Sequence, residues 1–140
     1  MVYDSLIVAA KRTPIGSFQG ILSPFSAPEL GAKVFKNIIQ NFPMRNFFID
    51  EVIMGNVLSA GLGQAPARQA TIFSGISNKV PSLTINKMCG SGLKAIMLAD
   101  RAIKCQDAHV VIAGGMESMS NTPFLLSDYR AGKRLGHTKI

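Results

Sequence analysis

The chain is short of several residue types, and each shortage closes off a class of protein. Among its 140 residues there is no tryptophan, and there are two tyrosines, two histidines and two cysteines. Cys89 and Cys105 are too few for a disulfide framework and lack the C-x-x-C spacing of zinc and redox sites. Placed on one helix, their spacing in sequence separates them by roughly 24 Å along the axis, too far for a bridge. No apolar run approaches the roughly 18 residues that a membrane span needs. The start, Met1 to Ala10, lacks a charged leader with a cleavage site and is not an Arg-rich amphipathic transit helix. The chain is therefore read as cytoplasmic, with no membrane partner.

Acidic residues are also scarce. Eight Asp and Glu face fifteen Lys and Arg, for a net charge of +7. Such a balance fits either a solvated basic surface or an anionic partner. Nucleic acid is not expected, because there is no Lys/Arg run, zinc pattern or aromatic RNA-binding signature. A phosphorylated small molecule, such as a nucleotide thioester, fits the charge as well as a bare basic surface does.

A hydrophobic fraction of 47% is globular, and the length suits one domain with a real core. Apolar runs alternate with helical patterns. Strands are expected at Ser5 to Ala10, Glu51 to Leu58, Ser82 to Met88 and His109 to Ala113. The first helix opens on Ser26-Ala27-Pro28-Glu29, a capping box with proline in the first turn. Its buried face is expected to carry Leu30, Val34, Ile38 and Phe35, Ile39, Phe42, with Pro43 marking its end. A second helix runs from about Ala67 to Ser74 and stops at Gly75, and a third from Gly90 to Cys105. The pattern predicts an α/β fold, with a mostly parallel sheet and helices on both faces. The third helix is apolar over most of its circumference, with Lys94, Arg101 and Lys104 on one narrow stripe. One sheet covers only one side of such a helix, so a second covering layer is expected that this chain does not itself supply.

Cys89 lies where the strand ending at Met88 turns into this helix, among Gly90, Ser91 and Gly92. A thiol at a helix N-terminus sits beside unpaired N–H groups and the positive end of the helix dipole, a placement that favours the attacking thiolate. Small neighbours let a substrate approach the backbone closely. The Cys89 N–H is a candidate oxyanion donor for acyl transfer. From the residues alone, a second reading stands beside it: a small buried apolar residue at a tight turn.

The run Ile85-Asn86-Lys87-Met88-Cys89-Gly90-Ser91-Gly92-Leu93-Lys94-Ala95 resembles the active-site segment of the thiolases. Three other segments resemble the same family in the same order: Ala9 to Gly16, Gly63 to Gln69, and Ala113 to Ser120. The last, continued by Asn121-Thr122-Pro123-Phe124, is most similar to the acetyl-CoA acetyltransferases of that family. The resemblance implies reversible condensation of two acetyl-CoA to acetoacetyl-CoA and CoA through an acetylated Cys89. It implies no cofactor beyond the coenzyme A thioester substrate. It places Gln64 in a loop near a neighbouring subunit's active site, and makes Asn86, Gly90 and Ser91 supports of the active-site loop. It divides the chain into a thiolase N-terminal domain at residues 1–118, lacking its last strand, and the start of a loop domain at 119–140. That second part includes an assembly hairpin near Leu125 to His137, and the family forms homo-oligomers, dimers or tetramers.

The family's Gly-His-Pro, Cys-x-Gly-Gly-Gly and Asn-Glu-Ala-Phe motifs do not occur in this sequence. Gly136-His137-Thr138 is not a substitute for the first, since it aligns with the assembly hairpin. Cys105 lacks the glycine run of the second, and His109 opens an apolar strand, so both are read as structural. The chain is thus expected to be a truncated or split acetyltransferase, inactive alone, with another chain as a candidate source of the missing half. Two alternatives are a non-catalytic assembly module that pairs with full-length thiolase subunits, and a β-ketoacyl-synthase-like enzyme.

Overall fold

A computed structural model describes residues 4–41 and 49–126. The element order is α1 (Ala27–Asn41), β1 (Glu51–Gly55), α2 (Pro66–Ser74), β2 (Ser82–Ile85), α3 (Ser91–Lys104) and β3 (Val111–Gly115), followed by a single 3-10 turn at Met119–Asn121. The three strands form one parallel sheet in the order β2-β1-β3. In the register of the ladder, Ile53 lies between Leu83 and Ala113, and Gly55 between Ile85 and Gly115. The chain is an α/β unit, as its sequence pattern predicts.

Each helix forms for a local reason. The capping box at α1 is complete: the Ser26 N–H donates to Glu29 Oε2 at 2.7 Å, and the Glu29 N–H donates to Ser26 Oγ at 3.4 Å. That first bond, ahead of the Ser26 hydroxyl, holds the Glu29 carboxyl below its ordinary pKa. At α2, Pro66 occupies the first turn, the Ala67 N–H is satisfied by Thr84 Oγ1 at 2.9 Å, and Gly75 closes the helix at φ +84°.

The core lies between β1 and the α1–α2 pair. Val52 and Met54 point to this side, among Phe35, Ala67, Ala70, Ile112 and Met116. The buried residues of α1 are Ala27, Pro28, Gly31, Ala32 and Phe35, while Leu30, Val34, Ile38 and Ile39 are half-buried. The expected apolar stripe is therefore rotated toward small residues. The cause is close packing: a Cβ on Gly31 would stand 2.9 Å from Met116 Sδ and 3.3 Å from Ala70 Cβ. Phe42 and Pro43 fall outside the described residues.

The opposite face of the sheet receives α3. Ala95 and Ala99 are its buried apolar positions, so the helix lies close over β1 and β3. Its far side is bare: Leu93 is 66% exposed, Ile96 45% and Met97 44%. The uncovered side expected of this helix is thus present.

The strand expected at Ser5 to Ala10 is not formed. The N-terminal segment passes α3 instead, with Ser5 Oγ donating to the Asp100 carbonyl at 3.5 Å. Leu6, Ile7 and Val8 are exposed there. An apolar run is compatible with a strand and does not by itself pair one with a sheet. The other strands are shorter or shifted. β1 stops at Gly55, β2 at Ile85, and β3 begins two residues beyond His109. His109 and Val110 are held outside the strand because their N–H groups bond Asp50 Oδ2, at 2.7 and 2.9 Å.

Two predictions come from these contacts. A Cβ at Gly55 would lie 2.6 Å from Ser91 Cβ and 2.7 Å from the Ser91 carbonyl carbon. Gly55→Ala should cost about 1–3 kcal/mol in urea unfolding, since the crowding atoms include backbone that cannot move aside alone. The N–H groups of Val110 and, next, His109 hold the Asp50 carboxyl below its ordinary 3.8. A lowered folded value means that the stability from this bond is full above 3.8 and is lost as pH falls through the folded value. Asp50→Asn should flatten the acid side of a stability-versus-pH curve below about pH 4, and an unchanged acid limb would refute the assignment.

Candidate functional site

The carboxyl ends of parallel strands, where ligands collect in open α/β sheets, here gather four short segments. These are Asn56 to Leu58 after β1, Asn86 to Gly90 after β2, the first turn of α3, and Met116-Glu117 after β3. Cys89 stands in the second. It is a free, exposed thiol.

The turn that presents it is tightly specified. Met88 has φ +50°, a left-handed conformation that a side chain adopts at a cost. The Asn86 side chain opens the turn: its Oδ1 accepts the Met88 N–H at 3.0 Å. Ser91 closes it from beneath. Its buried hydroxyl accepts the Lys87 N–H at 2.8 Å and donates to the Met88 carbonyl at 2.6 Å. The Gly90 and Ser91 N–H groups bond the Lys87 and Met88 carbonyls at 3.0 and 3.1 Å. Those two donors are therefore spent on the turn.

The helix itself starts at Ser91 with Gly90 as its N-cap. The helix expected from Gly90 begins one residue later. The positive φ of Met88 and the Ser91 clasp make Lys87 to Gly90 a separate tight turn, which sets the cysteine just ahead of the helix rather than in it.

Three glycines let this turn rest on the sheet. Gly55 lies directly under Ser91 and Gly92, and a Cβ on Gly115 would stand 3.3 Å from the Gly92 Cα. A side chain at Gly55, and to a lesser degree at Gly115, would press α3, and Cys89 with it, away from the strand ends.

Of the sequence candidates, Asn86, Gly90 and Ser91 therefore converge on Cys89. Gln64 does not meet them within one chain. It is exposed in the loop before α2, where Gly61, Gly63 and Ala65 all have positive φ. That loop is fastened by Gln69, whose Nε2 donates to the carbonyls of Leu62 at 2.6 Å and Gln64 at 2.8 Å. Its neighbour Arg68 is likewise structural, donating to the carbonyls of Val80 and Asn78, each at 2.7 Å. His109 and Cys105 lie at the far end of the sheet and helix from Cys89. His137 and the expected hairpin, apart from Leu125 and Leu126, lie outside the described residues. Among the described residues, no side chain is hydrogen-bonded to the Cys89 thiol, and no group of three His, Cys, Asp or Glu could hold a metal ion. No helix of the described residues is long and apolar enough to cross a membrane.

Two residues of this end of the sheet were not singled out by sequence reasoning. Glu117 accepts the N–H groups of Val57 and Leu58 at 2.9 and 3.2 Å and the Asn56 amide at 2.8 Å. Asn56 is 2% exposed and bonds Ile85 through its own N–H at 3.0 Å. The signal for both was a polar residue just after an apolar strand, which composition alone does not distinguish from a turn.

The parallel α/β sheet thus carries an exposed cysteine on a strained strand-to-helix turn. The chain belongs to the thiolase family: residues 5–140 match the model of the thiolase N-terminal domain. It is 51% identical over 137 residues to an acetyl-CoA acetyltransferase of Pseudomonas aeruginosa, covering 98% of this chain and 35% of that protein. It is equally 51% identical to an acetyl-CoA acetyltransferase of Saccharomyces cerevisiae, over all of this chain and 36% of that one. The fold superposes on the acetyl-CoA acetyltransferase of Bacillus anthracis with a TM-score of 0.92, at 35% identity, over 99% of this chain and 35% of that one. It also matches the Acat5 thiolase from Ascaris suum, solved in complex with coenzyme A, with a TM-score of 0.80 and 47% identity over 82% of this chain and 30% of that one. The chain thus spans about a third of the length of the curated relatives it matches.

The turn geometry makes its own prediction. Met88 is 68% exposed, so its side chain contributes little packing. Met88→Val should destabilise the chain by about 1–2 kcal/mol, because a β-branched residue resists positive φ. Met88→Gly should stay within about 0.5 kcal/mol, as relief of strain offsets the extra freedom of the unfolded chain. Equal losses in thermal unfolding of the two variants would show that φ is not the constraint.

Proposed function

We propose that this chain carries the acyl-accepting half of an acetyl-CoA acetyltransferase site, with Cys89 as the nucleophile. The observation that carries the reading is the exposed Cys89 thiol on its clasped turn at the carboxyl end of β2. The names of the relatives supply the substrate class, acetyl-CoA.

In the first half-reaction the Cys89 thiolate adds to the thioester carbonyl. The oxyanion then collapses, the bond from the acetyl carbon to the CoA sulfur breaks, and CoA leaves, taking up the proton that Cys89 shed. The backbone N–H of Cys89 is the proposed donor to the oxyanion. Gly90 and Ser91 cannot serve, since their N–H groups already close the turn. Asn86 and Ser91 hold the turn and do not touch substrate.

The second half-reaction needs a base that removes the α-proton of another acetyl-CoA. Its carbanion attacks the acetyl carbonyl, and Cys89 is released. Nothing among the described residues stands against Cys89 to do this. Each general acid or base contributes about 10²–10⁴-fold, so the 140-residue chain alone should accept an acetyl group and fail to turn over. Gln64 is proposed to act across a subunit boundary, and residues 119–140 to begin the segment that assembles subunits.

A second reading has its own support in the bare side of α3 at Leu93, Ile96 and Met97. A face of this kind suits a module that pairs with longer thiolase subunits.

Intact-mass measurement after incubation with acetyl-CoA distinguishes the two. One acetyl group per chain, absent in Cys89→Ala and retained in Cys105→Ala, is the expected result. No adduct on a folded chain, or an adduct that survives Cys89→Ala, would refute the nucleophile assignment. Net thiolysis of acetoacetyl-CoA by the isolated chain would refute its dependence on groups outside these residues.

A further inference from the structure

We propose that Glu117 is a positioning residue for Cys89, acting through the Asn56 to Leu58 segment that lies between them. The Glu117 carboxylate collects three donors from consecutive residues: Asn56 Nδ2 at 2.8 Å, the Val57 N–H at 2.9 Å and the Leu58 N–H at 3.2 Å. Charge-assisted bonds of this kind are shorter and stronger than neutral ones. Glu117 is itself set by the sheet, since the Met116 N–H bonds the Gly55 carbonyl at 2.9 Å. The carboxylate therefore fixes where the chain goes after β1.

That segment is the floor of the nucleophile turn. The Asn56 N–H donates to the Ile85 carbonyl at 3.0 Å, one residue before Asn86. The Val57 carbonyl accepts Asn86 Nδ2 at 3.5 Å, the longest link in the path. Asn86 Oδ1 then holds the Met88 N–H at 3.0 Å, directly ahead of Cys89. Asn56 is buried, and its Oδ1 has no partner. Its amide is thus held by donation alone, to Glu117 and to the Met116 carbonyl at 3.3 Å. Without the carboxylate, one of the two partners of the Asn56 amide and both partners of the Val57 and Leu58 N–H groups are gone. The floor then loosens, and Met88 can leave its positive φ, which swings Cys89 away from the start of α3.

The inference needs Cys89 in its observed place, and does not depend on acetyl-CoA being its substrate. The test uses this independence. Both cysteines are free and exposed, and Cys105 lies past the far end of a 14-residue helix. Cys105 is therefore an internal reference for alkylation by iodoacetamide, read at each site by peptide mass on the 140-residue chain. Thiol alkylation depends on local surroundings, here the N–H groups at the start of α3.

Glu117→Ala should lower the Cys89-to-Cys105 rate ratio about three- to ten-fold, since only part of the energy of its three lost hydrogen bonds is felt at the thiol. Glu117→Gln keeps an acceptor for the Val57 and Leu58 N–H groups and should restore most of the ratio. Asn86→Ala breaks the path further along and should give a similar fall. Joined to Glu117→Ala it should add little, because both act on one path. A purely structural role moves both cysteines together and leaves the ratio unchanged. An unchanged ratio in Glu117→Ala, or in Asn86→Ala should the first variant not fold, overturns the proposal. So do effects of Asn86→Ala and Glu117→Ala that simply multiply.

Discussion

The close approach of α3 to the carboxyl ends of β1 and β3 is the constraint on which the rest of the site depends. It is made at three glycines. Gly55, Gly92 and Gly115 have no Cβ where one would meet backbone or a neighbouring Cβ. Because the helix starts directly on the strand ends, the connection from β2 must turn within the few residues between Ile85 and Ser91. Within that connection the strain falls on Met88 at φ +50°. The Ser91 hydroxyl, the Asn86 amide and the Glu117 carboxylate are the bonds that hold that strained turn in place.

The same packing explains the imbalance between the two faces of the sheet. On the α1–α2 side the residues are large or closely interleaved, with Phe35, Val52 and Met54 buried. On the α3 side the contacts are Ala95, Ala99, Ser91 and glycine. Small residues permit short distances and bury little apolar area per residue. Three bulky side chains of α3, Leu93, Ile96 and Met97, are exposed on the side away from the sheet. The helix is held by proximity on one side and offers its apolar area on the other. A thiol at its start is thereby placed at the border between the sheet and whatever covers that second face.

Much of the fold was legible because the signals were local. Ser26 and Glu29 announced the start of α1, and Pro66 and Gly75 bracketed α2. Three parallel strands followed from apolar runs separated by helical patterns. The strand at Ser5 to Ala10 was not legible correctly, since an apolar run is compatible with a strand but does not itself fix any pairing with the sheet. The burial stripe of α1 was displaced for a related reason. Hydrophobicity scales favour Leu30 and Ile38, whereas close packing against Ala70 and Met116 selects Gly31 and Ala32.

At the site, Cys89 was visible from the glycines and serine around it, and Asn86, Gly90 and Ser91 proved to be its physical neighbours. The start of the helix was misplaced because helix patterns in sequence do not reveal a positive φ on a methionine. Glu117 was quoted only as part of a motif and given no role. A carboxylate that collects backbone N–H groups from a loop sixty residues away leaves no trace in local periodicity. Only the pairing of β1 with β3 brings the two together: Gly55 opposes Gly115, and the residues that follow each strand emerge side by side. Register in the sheet, set by the apolar faces of the strands, thus decides which polar groups meet at its end. The chemistry of the thiol turn is in this sense a consequence of how the core is packed beneath it.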